Sequence, residues 1–191
     1  DNIQWMMQDF ASRYYDVPEA EDVKMTFGLP VATLAMMAPV QFNNLMGLQK
    51  QNCSLMEMLG GGYYYVDTYS QDNNRKTNLR VAAKRLAVSM RQYQIKLLGI
   101  MAMDVKSEAA KEAYQVYVDA NDQLEGIVVL QYSPYAGGEG EVFWVTNKAG
   151  YDIPVITVKY SLWDRIHERE GSPDFIASKL KEEAQEESFS V

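Results

Sequence analysis

The sequence predicts an α/β fold of alternating strand and helix units around a mostly parallel sheet. Three observations carry that expectation. Apolar, strand-like runs recur along the chain at intervals of roughly 30 residues, the length of a βαβ unit. The runs are near-continuous in apolar residues, as in a parallel sheet covered on both faces. Between them lie stretches whose apolar residues fall on one helical face. Two architectures fit this pattern, an open doubly wound sheet or part of a (β/α) TIM-like barrel. A complete barrel usually takes about 250 residues, and 191 residues with so few strands would make only part of one.

The elements follow in order. Asp1 can N-cap a helix over Asn2–Tyr15 that puts Ile3, Met6, Met7, Phe10 and Tyr14 on one face, and Gln4 stands where a capping box places its Glu or Gln. Val23–Pro30 reads as a buried strand stopped by Gly28 and Pro30. A helix is expected from Pro39, suited to a first turn, to Gln49. Ser54–Gly60 is the next strand, and "DNNRKTN" a polar loop. Leu79–Tyr93 is a helix with Leu79, Ala82, Ala83, Leu86 and Met90 on its stripe. Ile95–Asp104 is a strand and Ser107–Asn121 a helix. Gly126–Tyr135 is a strand, Gly137–Gly140 a loop, and Glu141–Val145 a short extra strand. Ile153–Trp163 is a strand with Tyr160 and Trp163 at its end. Ser172 starts a last helix, with Pro173 at its first position, that runs to about Glu186.

Composition removes whole classes of function. With 47% hydrophobic and 23% charged residues the chain can build one core and is not globally disordered. A net charge of -8 and no basic cluster beyond the helical Arg75–Arg91 stretch argue against nucleic acid. No apolar run approaches the roughly 20 residues that span a membrane. A single cysteine, Cys53, permits no intrachain disulfide and no multi-cysteine zinc site, and a single histidine, His167, permits no histidine-rich metal site. No G-x-S-x-G elbow or G-x-x-x-x-G-K-[ST] loop occurs, and Tyr65 stands where a third dinucleotide-loop glycine would be. No cofactor and no metal are expected. The start "DNIQWMMQDF" and the end "EESFSV" read as cuts through a longer protein, the whole chain forming a single (β/α) domain segment.

Carboxylates and aromatic rings remain. In parallel α/β folds function gathers at the C-terminal ends of strands, where this sequence places Glu57, Asp104, Gln131, Tyr132 and Tyr135. Asp1, at the head of the first helix, would follow a strand lying upstream. Acidic groups beside flat rings suit a sugar: rings pack on the C–H faces of pyranoses, and paired carboxylates supply acid and base or nucleophile. Each residue also has a structural reading. Asp1 is a good N-cap, Asp104 competes with Ser107 to cap a helix, and Glu57 can be a buried carboxylate bonded beneath a loop. The methionines are core filler, and Glu182–Glu187 is a solvated helix face. Glu139 and Glu141 sit in or beside a Gly-rich loop that is either a lid or a surface hairpin.

"GGGYYYV", Gly60 to Val66, resembles the signature of the bacterial GxGYxYP putative glycoside hydrolase family. Gly60, Gly62, Tyr63 and Tyr65 match, and Val66 stands where the signature has proline. "DNIQWMMQDF", "MAMDVKSEAA" and "QYSPYAGGEGEVFWV" resemble the same family in the same order. The resemblance implies a (β/α) barrel-like catalytic domain of a larger, exported protein and carbohydrate as substrate. It brings no established catalytic pair. The resulting expectation is a glycoside hydrolase with Asp104, Glu57 and Asp1 as candidate catalytic carboxylates. Tyr63, Tyr65, Tyr132, Tyr135, Glu141, Gly60 and Gly62 are the candidate substrate-binding residues, with Tyr64 on the packing side. The alternatives are a non-catalytic carbohydrate-binding or scaffold module and a sugar-phosphate-binding α/β domain.

Overall fold

The computed structural model describes residues 12–13, 17–18, 24–47, 53–59, 62–70, 73–163 and 168–188. The expected helix over Asn2–Tyr15, Asp1, Gly60 and His167 therefore lie outside the described residues, apart from Ser12 and Arg13.

Six strands form one sheet: β1 (Met25–Leu29), β2 (Cys53–Met58), β3 (Leu97–Ala102), β4 (Gly126–Gln131), β5 (Val142–Thr146) and β6 (Asp152–Thr157). Their order is β1-β2-β3-β4-β6-β5. All neighbours are parallel except β5 and β6, which run antiparallel. The helices are α1 (Val31–Met37), α2 (Pro39–Gly47), α3 (Arg75–Gln92), α4 (Glu108–Ala120) and α5 (Pro173–Ser188). The expected α/β class and mostly parallel sheet are present. Among the described residues the sheet is open, with β1 and β5 as edges, and no barrel closes.

The two faces of the sheet differ. Leu55, Leu98, Ile100, Ala102, Ile127, Val129, Ile153 and Val155 join the buried core with Leu34 of α1, Leu79, Ala83, Leu86 and Met90 of α3, and Ala113, Tyr114 and Tyr117 of α4. Strands that are sequence neighbours and also sheet neighbours, joined by right-handed crossovers, put their helices on one side. Strand alternation sends Met56, Met58, Gly99 and Met101 to the other side. There a Cβ on Gly99 would fall 2.3 Å from Met58 Sδ and 2.9 Å from Met56 Cε. The two thioethers occupy the space a side chain on β3 would take.

Several boundaries depart from the sequence reading. The apolar run "VATLAMM" forms α1, a helix the sequence did not announce; Ala38 ends it, and Pro39 opens α2 as expected. The polar run before Leu79 enters the helix early: α3 begins at Arg75, whose guanidinium is bonded to α4 and to the loop before α3. β4 stops at Gln131, since Ser133 takes a positive φ of 42° and Pro134 has no N–H for a ladder. β6 stops at Thr157, short of the expected Trp163; its last ladder bonds run from the Thr157 N–H to Glu141 O at 3.0 Å and from the Val158 N–H to Val129 O at 3.1 Å. Ser107, rather than Asp104, caps α4, its Oγ accepting the Ala110 N–H at 3.2 Å. Ser172 precedes α5 as expected and accepts the Phe175 N–H.

Candidate functional site

The segment after β2 builds the site. Leu59 turns the chain with φ 65°, and the Gly62 N–H closes the turn on Leu59 O at 2.8 Å. Among the described residues of this stretch Leu59 takes the left-handed position, and a Cβ at Gly62 would meet only Tyr64 at 3.9 Å. The chain then rejoins the sheet. Tyr65 bridges Met101 in parallel, and the Val66 N–H donates to Met101 O at 2.8 Å. This restores the strand alternation. Tyr64 and Val66 face the helices, Val66 being 1% exposed and the Tyr64 hydroxyl bonded to that of Tyr117. Tyr65 shares the opposite face with Met101.

Three ties hold the segment. Tyr64–Tyr117 is one. The Arg75 guanidinium is the second, donating to Val66 O at 2.7 Å, Ala109 O at 2.9 Å and Glu112 at 2.6 Å. The third is Asp67, whose carboxylate accepts the Met103 N–H at 3.0 Å and the Asp104 N–H at 2.9 Å. Asp67 thereby fixes the loop after β3 to the loop after β2.

On this scaffold five rings form a continuous row. Centroids are 5.9 Å apart for Tyr63–Tyr65, 5.3 Å for Tyr65–Tyr132, 5.7 Å for Tyr132–Tyr135 and 5.9 Å for Tyr135–Trp163. The rings come from the C-terminal ends of β2, β4 and β6. The end rings are open, Tyr63 59% and Trp163 77% exposed, and the three between are half-buried. Burial, a hydrogen bond with Tyr63 and the neighbouring phenols push the Tyr65 hydroxyl up to about 12. Tyr65 is therefore a neutral phenol near neutral pH, a hydrogen-bonding group and a platform.

The carboxylates divide into two groups. Asp104 is exposed at the end of β3 and accepts the Lys106 N–H at 2.9 Å. Glu141 pairs with the Lys106 ammonium at 2.7 Å. The contact with Glu141, then the charges of Glu139 and Asp104, raise the Lys106 pKa. One lysine thus sits among three acids on the same sheet edge. Glu57 lies elsewhere. It is 1% exposed on the helix-facing side, with its Oε2 accepting the Ala32 N–H at 2.9 Å. Burial raises its pKa to about 7, partly offset by the Ala32 and Val31 N–H groups, and its Oε1 has no hydrogen-bond partner. Glu57 and Tyr65 thus face opposite sides of the sheet.

The Gly-rich loop is packed rather than free. A Cβ on Gly137 would fall 2.0 Å from Gln131 Nε2, and one on Gly138 would fall 2.3 Å from Thr157 Cβ. Thr157 Oγ1 lies 2.8 Å from Gly138 O. Sequence reasoning did not select Asp67 or Glu170, and it placed Trp163 at a strand end without naming it a binding residue. Glu170 is 3% exposed and accepts the Ala136 N–H at 3.1 Å, joining the loops that carry Tyr135 and Trp163. Among the described residues no cluster of three His, Cys, Asp or Glu side chains could hold a metal, and no helix is long and apolar enough to cross a membrane.

A family model described as GxGYxYP putative glycoside hydrolase C-terminal domain matches residues 1–190. The chain belongs to that family. Its signature stretch is the turn and the start of the ring row described above. The GxGYxYP chain is also similar to a solved structure, a putative hydrolase from Bacteroides thetaiotaomicron VPI-5482, with a TM-score of 0.68 at 17% identity. That similarity covers 95% of this chain and 32% of the other. The GxGYxYP domain thus spans about a third of its neighbour's length, and the likeness is one of fold. No curated protein matches the chain.

Proposed function

We propose that this domain binds carbohydrate along the ring row and serves the hydrolysis of glycosidic bonds, with Asp104 as the first catalytic carboxylate. The observation that carries the reading is the unbroken Tyr63–Tyr65–Tyr132–Tyr135–Trp163 contact on the C-terminal edge of a parallel sheet. Aromatic faces pair with sugar C–H faces, and this edge is where parallel α/β folds bind ligands. The family's name points the same way.

Glycosidic cleavage needs a second carboxyl group, about 5–5.5 Å from the first for retention or roughly 6.5–9.5 Å for inversion. Glu141 is the favoured partner within the chain, because the Lys106 ammonium that pairs with it also feels the charge of Asp104. Asp1 is a further candidate. Glu57 has its place under α1, which supports a structural role. In this reading one carboxyl protonates the leaving oxygen while the other acts as base or nucleophile.

The open sheet is, in the same proposal, part of a (β/α) barrel. The consecutive order of β1 to β4 and the helices gathered on one face support this, the Met- and Gly-lined face being the interior. Carbohydrate binding without cleavage is the second reading, favoured by the burial of Glu57 away from the rings.

The test is hydrolysis of a glycan panel by the full-length protein and its Asp104→Asn variant. Loss of product with an unchanged melting temperature supports the assignment. Full activity in the variant overturns the role of Asp104, and binding without any hydrolysis selects the second reading.

A further inference from the structure

We infer that the ligand of the ring row is an extended, linear oligosaccharide or polysaccharide segment, held at two stacking positions, Tyr63 and Trp163, rather than a single terminal sugar. The inference rests on the carbohydrate reading above and goes beyond it in naming the substrate class.

Successive rings meet at interplanar angles of 81°, 51°, 70° and 62°, edge-on at three contacts and tilted at Tyr65–Tyr132, so none stacks face to face with its neighbour. A ring face covered by a neighbouring edge is closed to a sugar. The three inner rings are half-buried in such contacts, whereas Tyr63 and Trp163 end the row at 59% and 77% exposure. Open stacking surface is therefore concentrated at the two ends. The inner rings form a floor that presents phenol hydroxyls, kept neutral at Tyr65.

The ends are well separated. Tyr65 continues β2 beside β3, the Tyr132 N–H donates to Ala102 O on the other side of β3, and Trp163 follows β6. From β2 to β6 the sheet order runs through three inter-strand steps, roughly 14 Å. One pyranose ring cannot lie on both end rings across that distance. A chain of several units can, and each end contact then adds to the other as a tethered second binding event. Both end residues are exposed and their side chains carry no core contact, so truncating either leaves the fold intact.

The experiment is calorimetric titration of the full-length protein, at low temperature, with cello-, manno-, xylo- and N-acetylchito-oligosaccharides of increasing length, from single sugars upward. The wild-type protein is compared with Trp163→Ala, Tyr63→Ala and, as a control at another exposed tryptophan, Trp144→Ala. The expected result is affinity that rises with chain length in at least one series. Trp163→Ala lowers affinity for the long members about tenfold and leaves the shortest binders unchanged, while Trp144→Ala changes neither. Affinity independent of length overturns the inference and leaves the carbohydrate reading standing, as does a Trp163→Ala loss equal at all lengths. Absence of binding at every length in every series overturns both.

Discussion

Glu57→Gln is expected to stabilise the protein above neutral pH and not below pH 4.5. Glu57 is 1% exposed, and burial lifts its pKa from the ordinary 4.5 to about 7. Below 4.5 the carboxyl is protonated in the folded and unfolded chains alike, and its contribution does not change with pH. Between 4.5 and 7 the unfolded chain releases its proton while the folded chain keeps it. The folded state then binds more protons, so stability falls as pH rises. Above 7 the loss is complete. At 1.36 kcal/mol per pH unit the interval corresponds to ~3 kcal/mol. Glutamine has the shape of the protonated acid, and its carbonyl oxygen can still accept the Ala32 N–H. Its amide lands where Oε1 has no partner, an unpaired buried donor that costs ~1 kcal/mol. The variant is therefore expected to gain about 2 kcal/mol over wild type at pH 8 and to lose slightly at pH 4. Urea unfolding of both proteins from pH 4 to 8 measures this, and other titrating groups cancel in the difference. A difference between the two proteins that does not change with pH would refute the reasoning.

Other outcomes follow from the same contacts. Arg75→Met removes the donor to Val66 O and Ala109 O, while Glu112 keeps its Lys76 partner at 2.8 Å; a loss of about 2 kcal/mol is expected, with faster hydrogen exchange at the Val66 amide. Gly138→Ala pushes a Cβ against Thr157 Cβ, with 2.3 Å between them, and is expected to cost about 1–3 kcal/mol in thermal unfolding. Gly62→Ala meets only a 3.9 Å contact and should stay within ~0.5 kcal/mol of wild type. Equal melting temperatures for these two glycine variants would contradict the packed-loop description.

What was legible in the sequence followed from periodicity. The strand cores, Ser107 and Ser172 at helix starts, and the opposite facing of Tyr64 and Tyr65 all come from short-range alternation or capping. Strand ends were overrun where β-forming aromatics continue the pattern past the last ladder bond, as at Tyr135 and Trp163. α1 was hidden because "VATLAMM" is apolar on nearly every side and has no period to read. The side that Glu57 faces was not legible, because it depends on the strand register, and the helix end seated over it depends on α1. Asp67 and Glu170 left no signal. Their partners are backbone N–H groups of remote loops, at Met103 and Asp104 and at Ala136, and no local spacing encodes them.

In the proposed function, sugar lies along the ring row with its scissile bond at Asp104. A crystal structure of the full-length Asp104→Asn protein with the tightest-binding oligosaccharide tests it most directly. Sugar units over Tyr63 and Trp163, and a glycosidic oxygen within hydrogen-bond reach of residue 104, are the expected result. Sugar bound at the N-terminal ends of the strands, or between α1 and α3 with the rings bare, would contradict it.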